Sequence, residues 1–245
     1  MSERVGVILQ PSYVPWRGFF DLIHRADVFV FYDDVQYDKH GWRNRNRIKT
    51  PAGPQWLTIP VSSKGNVVNG LQLCDARVTW TQDWPRKHAM TLRQCYGKAP
   101  FFAELWPMLE AFYAARPERL VDFTIETTLA LAKALGISHT RFVRSSELDI
   151  TGGRTERLVR ILEAVSATHY ISGPSARSYL EEAMFAEAKI GLEYMVYEYP
   201  EYEQLYPPYD PGVSVLDLLF MKGPGAGEHI WGSRAARTSG SGATA

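Results

Sequence analysis

Residues 4–34, RVGVILQPSYVPWRGFFDLIHRADVFVFYDD, decide the fold of this chain. Residues 4–10 and 27–31 are short apolar runs rich in Val, Ile and Phe, which predicts two buried strands. Between them, residues 16–25 carry apolar side chains at helical spacing, and Pro15 suits the first turn of a helix. A strand, a helix and a second strand in so short a segment predict a βαβ unit with parallel strands.

The same alternation returns in the second half of the chain. Strands are predicted at residues 139–143, 169–172 and 191–197, and helices at residues 155–166 and 175–189 lie between them. Parallel strands joined by helices are typical of the α/β class. We therefore predict a mostly parallel, Rossmann-like sheet with helices on both faces.

The middle of the chain predicts an inserted helical layer at about residues 81–135. Three helices are expected there, at residues 81–96, 102–115 and 117–135, and Gly136 would end the last of them. An isolated strand at residues 55–61 contains Pro60, which favours the edge of a sheet, and a short helix is expected at residues 214–220. Residues 1–232 are predicted to form a single α/β domain, and the low-complexity residues 233–245 a disordered tail.

Composition argues against several classes of protein. Lysine plus arginine and aspartate plus glutamate each number 27 of 245 residues, so binding of nucleic acid through bulk positive charge is not expected. Cys74 and Cys95 form no C-x-x-C pair, so no disulfide scaffold or metal site is predicted, and the cofactor is left open. The chain has no signal-peptide pattern and no apolar run of the ~20 residues that a membrane span needs. We expect a cytoplasmic protein without membrane insertion.

The first candidate site is the turn after the first strand. Gln10, Tyr13 and Trp16 lie there, between the predicted strand and the predicted helix. Ligands of open α/β sheets bind at the carboxyl ends of strands, and helix N-termini favour anions. The alternative is a rigid connection in which the prolines fix the backbone and the aromatic rings pack into the core.

Two adjacent carboxylates, Asp33 and Asp34, follow the second strand. At this edge they would lie beside the first turn, where one of them could act as a general base or bind Mg²⁺. The alternative is a solvated strand end in which one aspartate caps a turn.

A basic segment at residues 39–49 is the third candidate. Its arginines alternate with asparagines, so in an extended strand the guanidinium groups would share one face and suit a phosphate or carboxylate. The predicted substrate contacts are Trp42, Arg43, Asn44, Arg45, Asn46 and Arg47. His40, in the same segment, is the candidate acid or base. The alternative is a solvated basic loop paired with nearby aspartates.

Ser172 and Arg177 flank another predicted strand-to-helix turn at the same edge of the sheet. Either side chain could line a substrate pocket there. Ser172 does not stand in a G-x-S-x-G sequence, so we do not expect it to be a nucleophile.

Residues 7–61 closely resemble the WbqC-like family, and the resemblance returns at residues 154–180, 197–202 and 214–220. Family members commonly lie in gene sets for O-antigens, other surface polysaccharides or natural products. The resemblance therefore implies modification of a carrier-linked sugar or small molecule. Leu9 and Ser12 depart from the family pattern, because many relatives have His and Asn at these positions.

The leading hypothesis is a biosynthetic transferase that moves an acyl or aminoacyl group to an amine on a nucleotide-linked sugar or carrier-bound molecule. The arginines would grip an anionic substrate, such as a nucleotide sugar, an acyl-CoA or an acyl carrier protein, and Asp33 or Asp34 would take the proton. Two alternatives remain open: a Mg²⁺-dependent nucleotidyltransferase, and a non-catalytic binding protein of a biosynthetic complex. A pocket filled by aromatic side chains, with both aspartates outside it, would favour the last.

Overall fold

A computed structural model describes residues 3–62 and 70–232, and a five-stranded sheet lies at its centre. All neighbouring strands of this sheet run parallel. They are β1 (Val5–Leu9), β2 (Val28–Phe31), β5 (Arg141–Arg144), β6 (His169–Ser172) and β7 (Gly191–Tyr194). The order across the sheet is β5-β2-β1-β6-β7. From β1 the chain adds β2 and then β5 toward one edge of the sheet, and it returns to the other side of β1 to add β6 and β7. The strand order therefore reverses between β1 and β6.

Side chains of β1 and β2 alternate between two cores, one on each face of the sheet. Val5 and Val7 lie in the larger core with helix α1 (Arg17–Arg25), whereas Ile8 lies in the smaller core with helix α5 (Arg154–Ala164). This alternation follows from the period of two residues in a strand. The predicted α/β fold, with a parallel sheet and helices on both faces, is confirmed.

The helices of the middle segment pack into the larger core. They are α2 (Trp84–Tyr96), α3 (Phe102–Ala115) and α4 (Leu120–Ala134), and α7 (Val215–Lys222) joins them. Gly136 has a φ of +78°, the left-handed conformation that ends a helix without a steric cost for glycine. The predicted helical layer therefore shares one core with the α1 face of the sheet. The predicted tail at residues 233–245 lies outside the described residues.

A separate antiparallel hairpin consists of β3 (Arg45–Thr50) and β4 (Gly53–Thr58). The sequence predicts a single strand at residues 55–61 and places it at a sheet edge, but this strand pairs with β3 and not with the five-stranded sheet. The partner strand, β3, was not predicted because residues 45–50 are mostly polar. Its burial nevertheless alternates in its first half, with Asn46 and Ile48 buried and Arg45 and Arg47 only partly exposed.

The second half departs from prediction in one further element. The expected helix at residues 175–189 is a 3₁₀ turn (Pro174–Ser178) followed by the short helix α6 (Glu182–Glu187). Glu181 breaks the run because its ψ of 92° is extended. No helix in residues 3–62 or 70–232 is long and apolar enough to cross a membrane.

Candidate substrate site

The turn after β1 is held in an unusual backbone conformation. Val14 has a φ of +36°, which is a strained value for a β-branched residue. The Asn46 Nδ2 donates to the carbonyl oxygens of Tyr13, at 3.1 Å, and Val14, at 2.8 Å. The Ser214 Oγ donates to the same Val14 oxygen at 2.7 Å. Hairpin β3–β4 and helix α7 therefore fix the turn from two sides, and strain of this kind is frequent at functional sites.

A cavity of about 350 Å³ opens beside this turn, on the α1 face of the sheet. We call it the aromatic pocket. The residues that carry its chemistry are Gln10, Trp16, Trp42, Arg43, Arg47 and Tyr197. Leu9, Ser12 and Asn46 also line it, so both positions at which the chain departs from the family pattern face this cavity.

The wall formed by Trp16 depends on a glycine. The Trp16 ring meets the Tyr197 ring edge to face at a centroid distance of 4.8 Å. A Cβ atom at Gly18 would lie 2.4 Å from the Trp16 Cζ2 atom, closer than a carbon contact allows. Glycine at position 18 therefore permits the indole to lie on the first turn of α1.

Arg43 lies at the centre of the site. Its Nη1 donates to the Gln10 carbonyl oxygen at 2.9 Å, and burial lowers the pKa of its guanidinium to about 10. Its Nε is buried and finds no hydrogen-bond partner among the described residues. Its Nη2 donates to no described residue, so this terminal nitrogen is the donor left for a ligand oxygen in the cavity.

The alternation predicts one shared face for Arg43, Arg45 and Arg47, but Arg43 lies in the turn before β3. Arg45 and Arg47 do share one face of the hairpin, and of these two only Arg47 reaches the aromatic pocket. The Cζ atoms of Arg45 and Arg47 lie 4.7 and 6.0 Å from the centre of the Trp56 ring. Arg47 Nη2 donates to the Gly212 carbonyl oxygen at 2.9 Å, and its buried Nε has no partner in the described part of the chain. Arg45 instead donates to the His40 carbonyl oxygen.

The two asparagines of the alternation support the backbone. Asn46 holds the turn described above, and Asn44 Nδ2 donates to the Ile59 carbonyl oxygen at 2.8 Å. Both side chains are buried. Asn44 lines a shallow cavity that also contains His40 and Arg45, separate from the aromatic pocket. Contact of Asn44, Arg45 or His40 with substrate stays a prediction, and His40 itself is exposed.

The carboxylates of Asp33 and Asp34 face other protein groups. Asp33 accepts hydrogen bonds from the Ser145 Oγ at 3.2 Å and from the Ser146 backbone N and Oγ at 3.0 and 2.9 Å. Asp34 accepts from Ser145 Oγ at 2.5 Å and forms an ion pair with Arg157. Neither aspartate lines the aromatic pocket. The two aspartates attach the segment after β5 and helix α5 to the end of β2. This structural role resembles the alternative in which one aspartate caps a turn at the strand end.

Tyr13 points into the core. Its hydroxyl lies 2.7 Å from the Tyr113 hydroxyl and 3.1 Å from the His88 Nδ1, and 1% of the residue is exposed. Burial raises the pKa of the Tyr13 phenol well above its usual range. Tyr13 therefore anchors the turn at the helical layer, and its predicted contact with substrate has no geometric support.

A second cavity of about 510 Å³ lies on the α5 face, at the carboxyl ends of β1 and β6. We call it the switch-point pocket, because the strand order reverses between these two strands. Its lining includes Leu9, Gln10 and Arg43, which also line the aromatic pocket, together with Arg154 and Ser172. The predicted residue Arg177 lines neither pocket, and its Cζ lies 4.7 Å from the centre of the Tyr194 ring.

Sequence reasoning did not select Arg154 or Tyr197 as site residues. Arg154 follows two glycines at the start of a predicted helix, and such a helix start is common without a ligand. Tyr197 belongs to the tyrosine-rich segment at residues 197–202, whose position over the sheet depends on contacts far along the chain. Among the described residues, no cluster of three or more His, Cys, Asp or Glu side chains could hold a metal ion.

Comparison with known proteins identifies the family. Residues 10–229 match the WbqC-like protein family, a span that includes all lining residues of both pockets except Ile8 and Leu9. This chain belongs to the WbqC-like family. The WbqC-like chain is also 41% identical over 225 residues to the uncharacterized protein Rv1507c of Mycobacterium tuberculosis. The match covers 91% of this chain and 96% of that protein. No solved structure matches the WbqC-like chain.

Proposed function

We propose that this WbqC-like chain is a group-transfer enzyme that holds an anionic, ring-bearing substrate in the aromatic pocket. The observation that carries the proposal is the pair of guanidinium groups at Arg43 and Arg47. Both line a cavity walled by tryptophans, and one terminal nitrogen of each, Nη2 of Arg43 and Nη1 of Arg47, makes no hydrogen bond with the described residues. A phosphate or carboxylate oxygen would supply the acceptor, and charge-assisted hydrogen bonds of this kind are the stronger ones.

The dimensions and walls of the pocket favour one ring with its attached anion. A volume of about 350 Å³ is at the small end of the range for small-molecule sites. The Trp42 and Trp56 rings lie 5.1 Å apart and are 43% and 44% exposed, so the pocket opens past an aromatic surface. The sugar phosphate of a nucleotide sugar fits this chemistry, with the rest of the ligand extending over the exposed rings.

The reaction that suits the site is acyl or aminoacyl transfer from a thioester to an amine. The amine nitrogen bonds to the carbonyl carbon, the carbon–sulfur bond breaks, and the leaving thiolate takes the proton that the nitrogen loses. This route needs no carboxylate base, in agreement with the engagement of Asp33 and Asp34 elsewhere.

A second candidate function is binding without catalysis, in the service of a biosynthetic complex. The observation that favours it is the same pair of aspartates, which line neither pocket and are bound by serines and Arg157. The Mg²⁺-dependent nucleotidyltransferase alternative relies on these carboxylates and therefore receives less support than either function above.

Ligand binding tests the proposed pocket. Nucleotide sugars, sugar phosphates and acyl-CoA thioesters would be screened by thermal shift, since a ligand that binds the native state raises the melting temperature. Calorimetric titration of the best ligand should show at least tenfold weaker binding to Arg47→Gln, because a charge-assisted contact is lost. Arg141→Gln is the matched control, because Arg141 is exposed at the opposite end of the sheet. Equal affinity in Arg47→Gln and the control would contradict the proposal.

Turnover separates the enzyme from the binding protein. The chain would be mixed with each acyl-CoA and with an amino-sugar form of the nucleotide sugar or sugar phosphate that binds best. Amide formation would be followed by mass spectrometry. Amide formation that falls in Arg47→Gln and not in Arg141→Gln supports the transferase. Tight binding without amide from any donor supports the second candidate.

A further inference from the structure

The switch-point pocket has the properties of a second ligand site. It lies against the aromatic pocket, and Leu9, Gln10 and Arg43 line both cavities. The two cavities occupy opposite faces of the sheet at the end of β1, since α1 borders one and α5 the other. Ligands placed in them would approach each other at Gln10 and Arg43.

Arg154 gives the switch-point pocket an available positive charge. Two other arginines of α5 are engaged, Arg157 with Asp34 and Arg160 with Glu156. Arg154 is exposed, and its side chain makes no ion pair or hydrogen bond with any residue that the structure describes. The carboxylate of Glu156 accepts from the Gly153 backbone N at 3.0 Å, so the arginine side chain, and not the helix terminus, is the group left for an anion.

The remaining surface of the pocket suits a ring. Ile8, Leu158 and Tyr170 form a buried apolar floor, and Tyr32 and Tyr179 stand at the walls. Tyr179 is 51% exposed, so one wall is open to a ligand that enters from solvent. Ser172 adds a buried hydroxyl at the end of β6. Apolar walls with a few convergent polar groups are the usual composition of small-molecule sites.

We propose that the switch-point pocket binds the second substrate of the transfer, a ring-bearing phosphorylated molecule whose phosphate contacts Arg154. This inference rests on the proposed function, because it assigns the aromatic pocket to the other substrate. Open α/β sheets bind ligands where the strand order reverses, which is the position of this pocket. Coenzyme A or a nucleotide could supply both the ring and the phosphate.

Phenyl phosphate is the probe for this pocket, because it combines one ring with one phosphate. Titration of the full chain would be followed by amide NMR, with Gly173 and Ser175 reporting the switch-point pocket and Ser12 and Gly212 the aromatic pocket. We expect saturable shifts at Gly173 and Ser175 and at least tenfold weaker binding in Arg154→Gln. Arg141→Gln should bind as the unmodified chain does. Parallel titrations with coenzyme A, UDP and inorganic phosphate identify which phosphate source binds most tightly.

Two results of the phenyl phosphate titration would overturn the second site. One is a set of phenyl phosphate shifts confined to Ser12 and Gly212. The other is an affinity lowered by Arg47→Gln as much as by Arg154→Gln, which would indicate a single site. Failure of the proposed function would be seen in a different experiment, as the absence of any ligand that binds the aromatic pocket. The phenyl phosphate titration would still show whether the switch-point pocket binds a phosphate. Simultaneous binding of phenyl phosphate and the best nucleotide sugar supports both proposals, and mutual competition overturns the second site.

Discussion

His88 is a histidine whose chemistry the fold changes strongly. It lies on α2, is buried, and its ring contacts Trp84 at a centroid distance of 5.1 Å and the Tyr13 hydroxyl at 3.1 Å. Burial lowers the pKa of His88 from 6.5 to about 4, although a hydrogen bond to the Thr58 backbone acts in the opposite direction. The ring is therefore neutral at pH 7, and it joins the helical layer to the turn at the substrate site.

This shift predicts a dependence of stability on pH. Between pH 6.5 and 4 the unfolded chain binds a proton at His88 that the folded chain does not, so stability is complete above pH 6.5 and falls as the pH falls. The full loss is about 3 kcal/mol, at 1.36 kcal/mol per pH unit. Urea unfolding from pH 7 to pH 4 would measure it.

Two variants control the experiment. His88→Gln cannot titrate, so its unfolding free energy should fall less between pH 6.5 and 4. His40→Gln, at an exposed position, should keep the dependence of the unmodified chain. NMR titration of the His88 ring supplies a direct measurement if His88→Gln does not fold. A ring that titrates near pH 6.5 in the native protein would refute the explanation.

For single residues, the spacing in the sequence predicted which face of a strand a side chain occupies. It did not predict hydrogen-bond partners that lie far away in the chain. The alternation of Arg with Asn placed Arg45 and Arg47 on one face and Asn44 and Asn46 on the other. The environment of Asp33 was not accessible in this way, because its partner Ser145 lies 112 residues away in the chain. Carboxylates at a strand end that bind a ligand and carboxylates that bind another element of the same protein have the same sequence pattern.

Helix α7 shows how one element positions another. Ser214 precedes it, and the Ser214 Oγ accepts a hydrogen bond from the Leu216 backbone N at 3.2 Å. The same hydroxyl donates to the strained Val14 at 2.7 Å. The helix cap and the substrate-site turn therefore depend on one oxygen atom.

Removal of that hydroxyl should weaken both features. Ser214→Ala is expected to lower the free energy of unfolding by about 2 kcal/mol, as the sum of about 1 kcal/mol for an N-cap and about 1 kcal/mol for a buried hydrogen bond. Guanidinium unfolding would measure the loss. Ser178→Ala, which removes an exposed hydroxyl bonded to the Ser175 carbonyl oxygen, should change stability by less than about 0.5 kcal/mol. Equal losses in the two variants would contradict this account of α7.

Elements with a strong apolar pattern were predicted well. The strand at residues 169–172 and the helix at residues 102–115 have the observed bounds. Strand β3 was missed because its sequence, RNRIKT, is mostly polar, and its exposed face carries arginines over Trp56. The hairpin pairs residues that are close in the chain, from Thr50 with Gly53 to Arg45 with Thr58, but its two-residue turn, Pro51-Ala52, lacks the Asn-Gly or Asp-Gly pattern that marks such turns in sequence.

For the whole molecule, the larger core is the feature that decides cooperativity. It contains residues from Val5 in β1 to Ile230 near the last described residue, and helices α1, α2, α3, α4 and α7 all contribute to it. The helical layer at residues 81–135 has no core of its own in the described part of the chain. It should therefore not unfold separately from the sheet.

We predict one cooperative thermal transition for the full chain. Scanning calorimetry should give equal calorimetric and van't Hoff enthalpies, and the circular dichroism of the helices should be lost together with the near-ultraviolet signal of the tryptophans. Amide exchange in α3 and in β2 should show similar opening free energies. Two separated transitions, with helix lost first, would show that the helical layer is an independent domain.

The hydrogen bond between Ser214 and Val14 joins residues that are 200 positions apart, so it can form only late in the synthesis of the chain. At a synthesis rate of about 5–20 residues per second, the ribosome needs about 10–40 s after making residue 14 before it reaches residue 214. Throughout that interval the nascent polypeptide carries the turn at the proposed pocket without the residue that fixes it. A metabolite that binds this pocket as proposed therefore cannot stabilise the chain until that segment has been made.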